Sequence, residues 1–203
     1  MPRKFLFTRA QITEAALALV REKGAGALTA RALAERLGTS SKPIFGLFKN
    51  MEDVRCSVIA AAAELLDRLT REEMAAGRYP PYKASGMAYI RFARDEKELF
   101  KLLYMRDRSQ EKPDENEREA IRPLINVIMK NTGLSEERAY LLHLELWVYV
   151  HGIASMLATS YLDWDMEFVS RTLSDAYQGL RARHIEEERQ YGSHQDGQSD
   201  KKV

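Results

Sequence analysis

The side chains best suited to binding chemistry lie in one stretch of the chain, between Thr29 and Lys49. Hydroxyl residues stand close to cations there: Thr29 precedes Arg31 by two positions, and Ser41 adjoins Lys42. Hydroxyl, guanidinium and ammonium groups all donate hydrogen bonds to anionic oxygen, so this mixture indicates contacts with phosphate groups. A lysine can also reach the O6 and N7 atoms of guanine in the major groove. The residue types favour recognition of a polyanion over catalysis.

The distribution of charge along the chain supports this interpretation. The 203 residues carry a formal net charge of only +1. Residues 1–50, however, hold nine Lys and Arg against three Glu, which leaves a net charge of +6. The remainder holds 22 basic and 27 acidic residues, a net charge of −5. A basic first quarter on an acidic body suggests that the first quarter alone meets a polyanion.

Four predicted helices position these residues. The first begins at Thr8, which forms a capping box with Gln11, and it ends at Gly24. The second begins at Thr29 and ends at Gly38. The third follows an N-cap at Ser40, and the fourth follows an N-cap at Asn50 and runs to about Met74.

The second and third helices form a predicted helix-turn-helix unit. Both are short, they follow a longer first helix, and Gly38 permits a tight turn between them because glycine adopts positive φ without strain. Pro43 would lie in the first turn of the third helix, where a missing amide is tolerated. The apolar residues expected to hold the helices together are Leu33, Leu37, Ile44 and Phe48.

The rest of the chain is also predicted to be helical, at about 82–93, 96–105, 114–131, 135–160 and 164–184. The segment Leu146–Leu162 lacks formal charges but is shorter than the roughly 20 apolar residues of a spanning helix. It is therefore predicted to be a buried helix, and no membrane partner is expected. Residues 186–203 are polar and rich in Gly, Ser and Gln, which predicts a disordered tail.

Residues 8–54 resemble the N-terminal DNA-binding domain of TetR-type transcriptional regulators. The matching stretch runs from 28 to 50, LTARALAERLGTSSKPIFGLFKN. Thr39 replaces the usual Val, Phe45 stands where Tyr is common, and Met51 stands where Lys is frequent. Gly46 occupies a position that is usually bulkier. The departures weaken individual contacts and leave the likeness of the domain intact.

The resemblance implies an all-α fold of about nine helices in two domains. Residues 1–54 would form the DNA-binding domain, and residues 55–185 a helical domain for effector binding and dimerisation. The expected phosphate contacts are Thr8, Thr29, Arg31 and Lys49, with Arg3, Lys4 and Arg9 forming an arm along the DNA backbone or minor groove. Ser41 and Lys42 would reach base edges, and Ser40, Phe45 and Gly46 complete the expected recognition face.

The resemblance further implies a cytoplasmic homodimer that binds a double-stranded DNA operator and is released from it by a small, largely apolar molecule. The predicted dimer interface comprises Leu144, Val148, Gly152, Ser155, Thr159, Leu173, Tyr177 and Leu180. The predicted effector pocket comprises Tyr89, Phe92, Phe100, Leu103, Tyr104, Trp147 and His151. Both sets are equally compatible with ordinary core packing.

Two other classes of function stay open at this point. One is a helical enzyme with a pocket, although the sequence has no Gly-rich phosphate loop, no G-x-S-x-G and no H-E-x-x-H motif. The other is a helical protein-interaction adaptor that never binds DNA. His143, Glu145 and His151 do not share one helix face, so no metal site is expected, and no cofactor is expected either.

Overall fold

The computed structural model describes residues 6–107, 109 and 117–199, and these residues form an all-α fold. Nine α-helices lie in this part of the chain. They are α1 (Arg9–Lys23), α2 (Ala30–Arg36), α3 (Lys42–Phe45), α4 (Met51–Ala75), α5 (Pro81–Asp95), α6 (Lys97–Tyr104), α7 (Glu117–Thr132), α8 (Glu136–Ala158) and α9 (Met166–Ser199). A 3₁₀ turn, Ala25–Ala27, joins α1 to α2. The predicted start of α7 at residue 114 lies outside the described residues.

The predicted caps of the first helices are confirmed. The Thr8 hydroxyl accepts a hydrogen bond from the Gln11 amide, and the Gln11 side chain accepts one from the Thr8 amide, completing the capping box. Gly24 ends α1 with φ at +79°. The Thr29 hydroxyl caps α2 and the Asn50 side chain caps α4.

The start of α3 differs from the prediction. Its N-cap is Ser41 rather than Ser40, and the Ser41 side chain makes no capping hydrogen bond. The Ser41 backbone has right-handed helical dihedrals, so the chain enters the helix at this residue and Ser40 lies outside it. Pro43 lies in the first turn, as predicted.

One hydrophobic core runs from the first helices into the body. It includes Ile12 of α1, Ile44 of α3, Val58 of α4, Phe100 of α6 and Leu157 of α8, all of them buried. A second, smaller cluster lies between α7, α8 and α9. The predicted boundary between residues 54 and 55 falls in the first turn of α4, so a continuous helix joins the N-terminal helices to the body.

The central helix of the body is α8, which packs against α5, α6, α7 and α9. Its length and mean hydropathy of 1.3 equal those of a membrane-spanning helix, and 39% of its most apolar window is buried within the chain. Among the described residues, no other helix has these properties. Its buried positions, which include Leu142, Leu146, Val150, Ile153 and Leu157, face the other helices.

The last helix is longer than predicted. The expected tail begins at residue 186, but α9 continues to Ser199. Glu187 forms an ion pair with Arg138, and Glu188 accepts hydrogen bonds from the amide and hydroxyl of Ser135. These contacts hold residues 187 and 188 of α9 against the start of α8, so the expectation of disorder is corrected at those positions and stays a prediction for the rest of the tail. Residues 200–203 lie outside the described residues.

Candidate nucleic-acid interface and internal cavity

The helix-turn-helix unit is built on three buried side chains. Leu33 of α2 and Ile44 of α3 have no exposed surface, and Phe48, which follows α3, is 2% exposed. Gly38 makes the turn between the helices with φ at +64°. The predicted clamp is confirmed at these positions, with Leu37 partly buried against the same core. Their burial turns the opposite side of α3 towards solvent.

The predicted DNA-binding residues form part of this solvent-facing surface. Eight of the nine are exposed, namely Thr8, Thr29, Arg31, Ser40, Lys42, Phe45, Gly46 and Lys49, and Ser41 is half-buried. Phe45 keeps 46% of its surface exposed, so its ring is not part of the core. Within the described ranges, Arg31, Lys42 and Lys49 make no ion pair with an acidic side chain. We call Arg31, Lys42 and Lys49 the free cations.

Arg9 has a different role from the expected DNA-binding arm. Its guanidinium pairs with Asp53 at 2.5 Å, donates to the Leu47 carbonyl at 3.0 Å and lies over the Phe48 ring at 4.0 Å. The bond from Arg9, together with one from the Lys49 amide, lowers the pKa of the Asp53 carboxyl. Arg9 therefore ties α1 to the segment between α3 and α4. Arg3 and Lys4 lie outside the described residues.

Two further cations of the basic segment are also paired. Arg36 of α2 forms a bidentate ion pair with Glu22 of α1, with both N–O distances 2.7 Å. Arg21 of α1 pairs with Glu96, the residue between α5 and α6, at 2.6 Å. These pairs were missed by sequence reasoning because 14 and 75 positions separate their members. They remove positive charge from the flanks and leave the free cations around the turn.

A cavity of about 320 Å³ lies in the body between α4, α5, α7, α8 and α9. Of the predicted pocket residues, Tyr89 and Trp147 line it. Phe92, Phe100, Leu103, Tyr104 and His151 do not line this cavity, so their role in effector binding stays a prediction. Phe92, Phe100 and Leu103 are buried core residues, and Tyr104 and His151 join Phe100 in an aromatic cluster beside the cavity.

Two tyrosine–histidine pairs join α5 to α8. The Tyr82 hydroxyl lies 3.0 Å from Nδ1 of His143, and the Tyr89 hydroxyl lies 2.9 Å from Nδ1 of His151. Burial raises the pKa of both tyrosines and lowers the pKa of both histidines, so all four groups are neutral near pH 7. In the part of the chain that the structure describes, no three His, Cys, Asp or Glu side chains could hold a metal ion.

The comparisons with known proteins agree with this arrangement. Residues 12–55 match the family of bacterial regulatory proteins called tetR, and residues 82–177 match the tetracyclin repressor-like C-terminal domain. Together the two matches cover well over half of the chain. The chain belongs to the TetR family of transcriptional regulators. No curated protein sequence matches it significantly.

Solved structures of other bacterial proteins share the TetR-family fold of this chain. A protein from Pseudomonas aeruginosa PAO1 that is described as a transcriptional regulator superposes with a TM-score of 0.69 at 15% identity, over 89% of this chain and 93% of that one. A TetR-family member from Streptomyces coelicolor A3 superposes with a TM-score of 0.56 at 19% identity, over 84% of this chain and 98% of that one. At these identities the likeness concerns the fold.

The TetR-family body also presents a stripe of apolar and small residues along α8. Leu144 is 37% exposed and Val148 is 64% exposed, while Gly152, Ser155 and Thr159 continue the same side of the helix. A Cβ placed on Gly152 would meet no atom within 4 Å, so the space beside it is open. These five residues, which we call the α8 stripe, are exposed or half-buried in the part of the chain that the structure describes.

The α9 residues of the predicted dimer interface make contacts within their own chain. Leu173 is 5% exposed and lines the cavity, Tyr177 lines the cavity and contacts Tyr82, and Leu180 packs against the second core cluster. These three residues contribute to the fold of their own chain, and their place in a dimer interface stays a prediction. The predicted spacing holds along α9, and the side that carries these residues packs mainly against α8, with further contacts to α5.

Proposed function

We propose that this TetR-family regulator is a dimeric repressor that binds a palindromic DNA operator. The observation that carries the proposal is the surface around the turn at Gly38. The helix-turn-helix unit exposes the free cations Arg31, Lys42 and Lys49 together with the Phe45 ring and Gly46, on a buried core. Unpaired cations on a rigid helix-turn-helix unit suit phosphate neutralisation and contacts in the major groove.

Each residue has a distinct proposed role. Arg31 and Lys49 bind phosphates, as does the Thr29 hydroxyl, which accepts only the Ala32 amide and keeps its proton for donation. The Thr8 hydroxyl offers less, because it also donates to the Gln11 side chain. Lys42 and Ser41 read base edges. Ser40, Phe45 and Gly46 form the rest of the surface that approaches the groove.

The size of a single helix-turn-helix unit favours a dimer. One helix-turn-helix unit covers half of an operator, and two units must lie one helical turn apart, about 34–36 Å, or a multiple of it. The α8 stripe offers a surface for the partner subunit, since its small residues permit close approach of a second helix. We propose a cytoplasmic homodimer in which the α8 stripes of both subunits meet.

Control by a small molecule is the remaining part of the proposal. The helix α4 begins at the Asn50 cap beside the DNA-binding unit, and its residues Leu66 and Thr70 line the cavity. A molecule in the cavity that favours one position of α4 would change the separation of the two helix-turn-helix units in the dimer. By linkage, DNA and that molecule then weaken each other's binding.

Selection of bound duplexes from random DNA tests the proposed function. We expect an inverted repeat whose half-sites are one helical turn or a multiple apart. We expect the Lys42→Ala variant to lose preference at specific base pairs while it still binds DNA. The matched control is Lys130→Ala, which removes an exposed cation from α7 in the body. Recovery of no consensus, or the same consensus with Lys42→Ala, would contradict the assigned reading surface.

A further inference from the structure

The charged side chains that line the cavity in the body are of one sign. Among the described residues that line it there is one ammonium group, Lys83 on α5, and there is no aspartate or glutamate. The other ionisable groups are His143 and three tyrosines, all of which are neutral near pH 7. A cavity of this composition disfavours a cation and offers one positive charge to an anion.

Lys83 is half-buried, and its ammonium group has two neutral neighbours. Its Nζ donates to the Ser174 hydroxyl at 2.7 Å and lies 5.0 Å from the centre of the Tyr79 ring. No carboxylate within the described ranges forms an ion pair with it. Burial lowers the pKa of Lys83, which reflects the cost of holding its charge partly away from water. An anion beside Nζ would offset that cost.

The cavity is small, and most of its remaining surface is apolar, with Thr70, Ser85, Asn131 and Gln178 as further polar lining residues. Leu66, Leu146, Val150 and Leu173 supply aliphatic surface, and the Trp147 ring supplies an aromatic one. The volume of about 320 Å³ is near the lower end for ligand pockets. Liquid water takes about 30 Å³ for each oxygen atom, so the space suits a molecule of roughly ten non-hydrogen atoms. Lys83 would bind one end of it, and the apolar walls would cover the rest.

We propose that the cavity binds a small amphipathic monoanion, with an aliphatic or aromatic body and one carboxylate that accepts a hydrogen bond from Nζ of Lys83. Its role as the effector rests on the proposed function, whereas its binding does not. Ser174 orients the ammonium group, and its own hydroxyl donates to the Ser170 carbonyl, which fixes that orientation. A charge-assisted hydrogen bond in this partly dry site gives the acid its advantage over a neutral analogue.

Calorimetric titration of the intact protein with matched probes tests the proposal. Octanoate, octanamide and octylammonium share a chain and differ in the charge of the head group. 3-Phenylpropanoate and its amide repeat the comparison with an aromatic body. We expect at least one carboxylate to bind at least about tenfold more tightly than its amide, with octylammonium weakest. The tighter binder of octanoate and 3-phenylpropanoate shows whether the cavity prefers an aliphatic or an aromatic acid.

The variant Lys83→Met removes the charge and keeps the length of the side chain. We expect the carboxylate and the amide to bind it within about twofold of each other, mainly through weaker carboxylate binding. Lys97→Met is the matched control, because Lys97 also donates to a serine hydroxyl, Ser160 at 2.8 Å, but at the surface. That variant keeps the preference for the carboxylate.

Three results would overturn the proposal: no carboxylate binds at millimolar concentration, amide or ammonium binds as tightly as carboxylate, or Lys83→Met retains the preference. The comparison of probes on the unmodified protein needs no variant, so a folding defect in Lys83→Met leaves the test decisive. Affinity for DNA in the absence of any probe is measured separately. Failure of the unmodified protein to bind DNA would refute the proposed function. Failure of the unmodified protein to prefer the carboxylate would refute only this inference.

Discussion

Replacement of Glu73 by Gln should destabilise the joint between α4 and α5. Glu73 lies near the end of α4 and is only 6% exposed. Its Oε2 atom accepts hydrogen bonds at 2.6 Å from both Arg78 in the connecting turn and Arg91 on α5. Glutamine keeps the volume of the side chain but loses the charge that holds both guanidinium groups.

The size of the effect follows from the exposure of the partners. Breaking a buried ion pair costs about 3–5 kcal/mol when the remaining charge stays buried. Here Arg78 is 57% exposed and Arg91 is 27% exposed, so water can solvate both once the carboxylate is gone. We therefore expect the free energy of unfolding to fall by about 2 kcal/mol, which lowers Tm by about 4–8 °C in a chain of this length.

Urea unfolding monitored by circular dichroism measures this loss. The matched control is Glu72→Gln, one position earlier on the same helix. Glu72 is 63% exposed, and its distance to Arg68 is 3.9 Å, so we expect a change below about 0.5 kcal/mol. Equal effects of the two substitutions, or a loss below about 0.5 kcal/mol for Glu73→Gln, would refute the claim that this carboxylate fastens α4 to α5.

Three further predictions concern the partner surface, the end of α1 and the response to pH. Val148→Glu should convert the dimer to monomers in light scattering while the unfolding free energy of the monomer changes little, because Val148 is 64% exposed in one chain; an unchanged mass would contradict the α8 stripe as the interface. Gly24→Ala should cost about 1 kcal/mol in urea unfolding, because the backbone has φ at +79° and a Cβ would lie 2.7 Å from Oε2 of Glu98; a neutral effect would contradict this. Burial lowers the pKa of His143, so the unfolded chain binds a proton at higher pH than the folded chain, and the unfolding free energy should fall between about pH 7 and pH 5. His143→Gln should reduce that fall, and an equally steep fall would exclude His143 as a cause.

Local signals predicted the first helices well. Thr8, Gln11, Thr29 and Asn50 act within three residues of their partners, so their capping patterns are visible in the sequence and are confirmed. The periodicity of apolar residues likewise predicted the all-α fold, since helical faces repeat at a short, regular spacing.

Contacts between distant residues account for most corrections. Arg9 appeared as one of several cations near the start of the chain, but its partner Asp53 is 44 positions away. A related reason applies to the cavity: periodicity predicts that Phe92 and Phe100 are buried, but not whether they face a cavity or the close-packed core. The same holds for Leu173, which lines the cavity.

The end of α9 was missed because composition outweighed local preference. Gly192 and the polar residues around it suggested a tail, yet Glu and Arg are good helix formers. Arg138 on α8 supplies ion-pair partners for Glu187 and Glu188, and it lies about 50 positions earlier in the chain. Stabilisation by such a contact cannot be read from the segment alone.

The salt dependence of DNA affinity tests the central claim most directly. Arg31 and Lys49 of two subunits would neutralise about four phosphates, so the logarithm of affinity should fall against the logarithm of salt concentration with a slope of about −4. Arg31→Ala should make that slope shallower by about two, while Lys130→Ala should leave it unchanged. A slope near zero, or the same slope for Arg31→Ala as for the unmodified protein, would contradict the proposal that these exposed cations contact DNA.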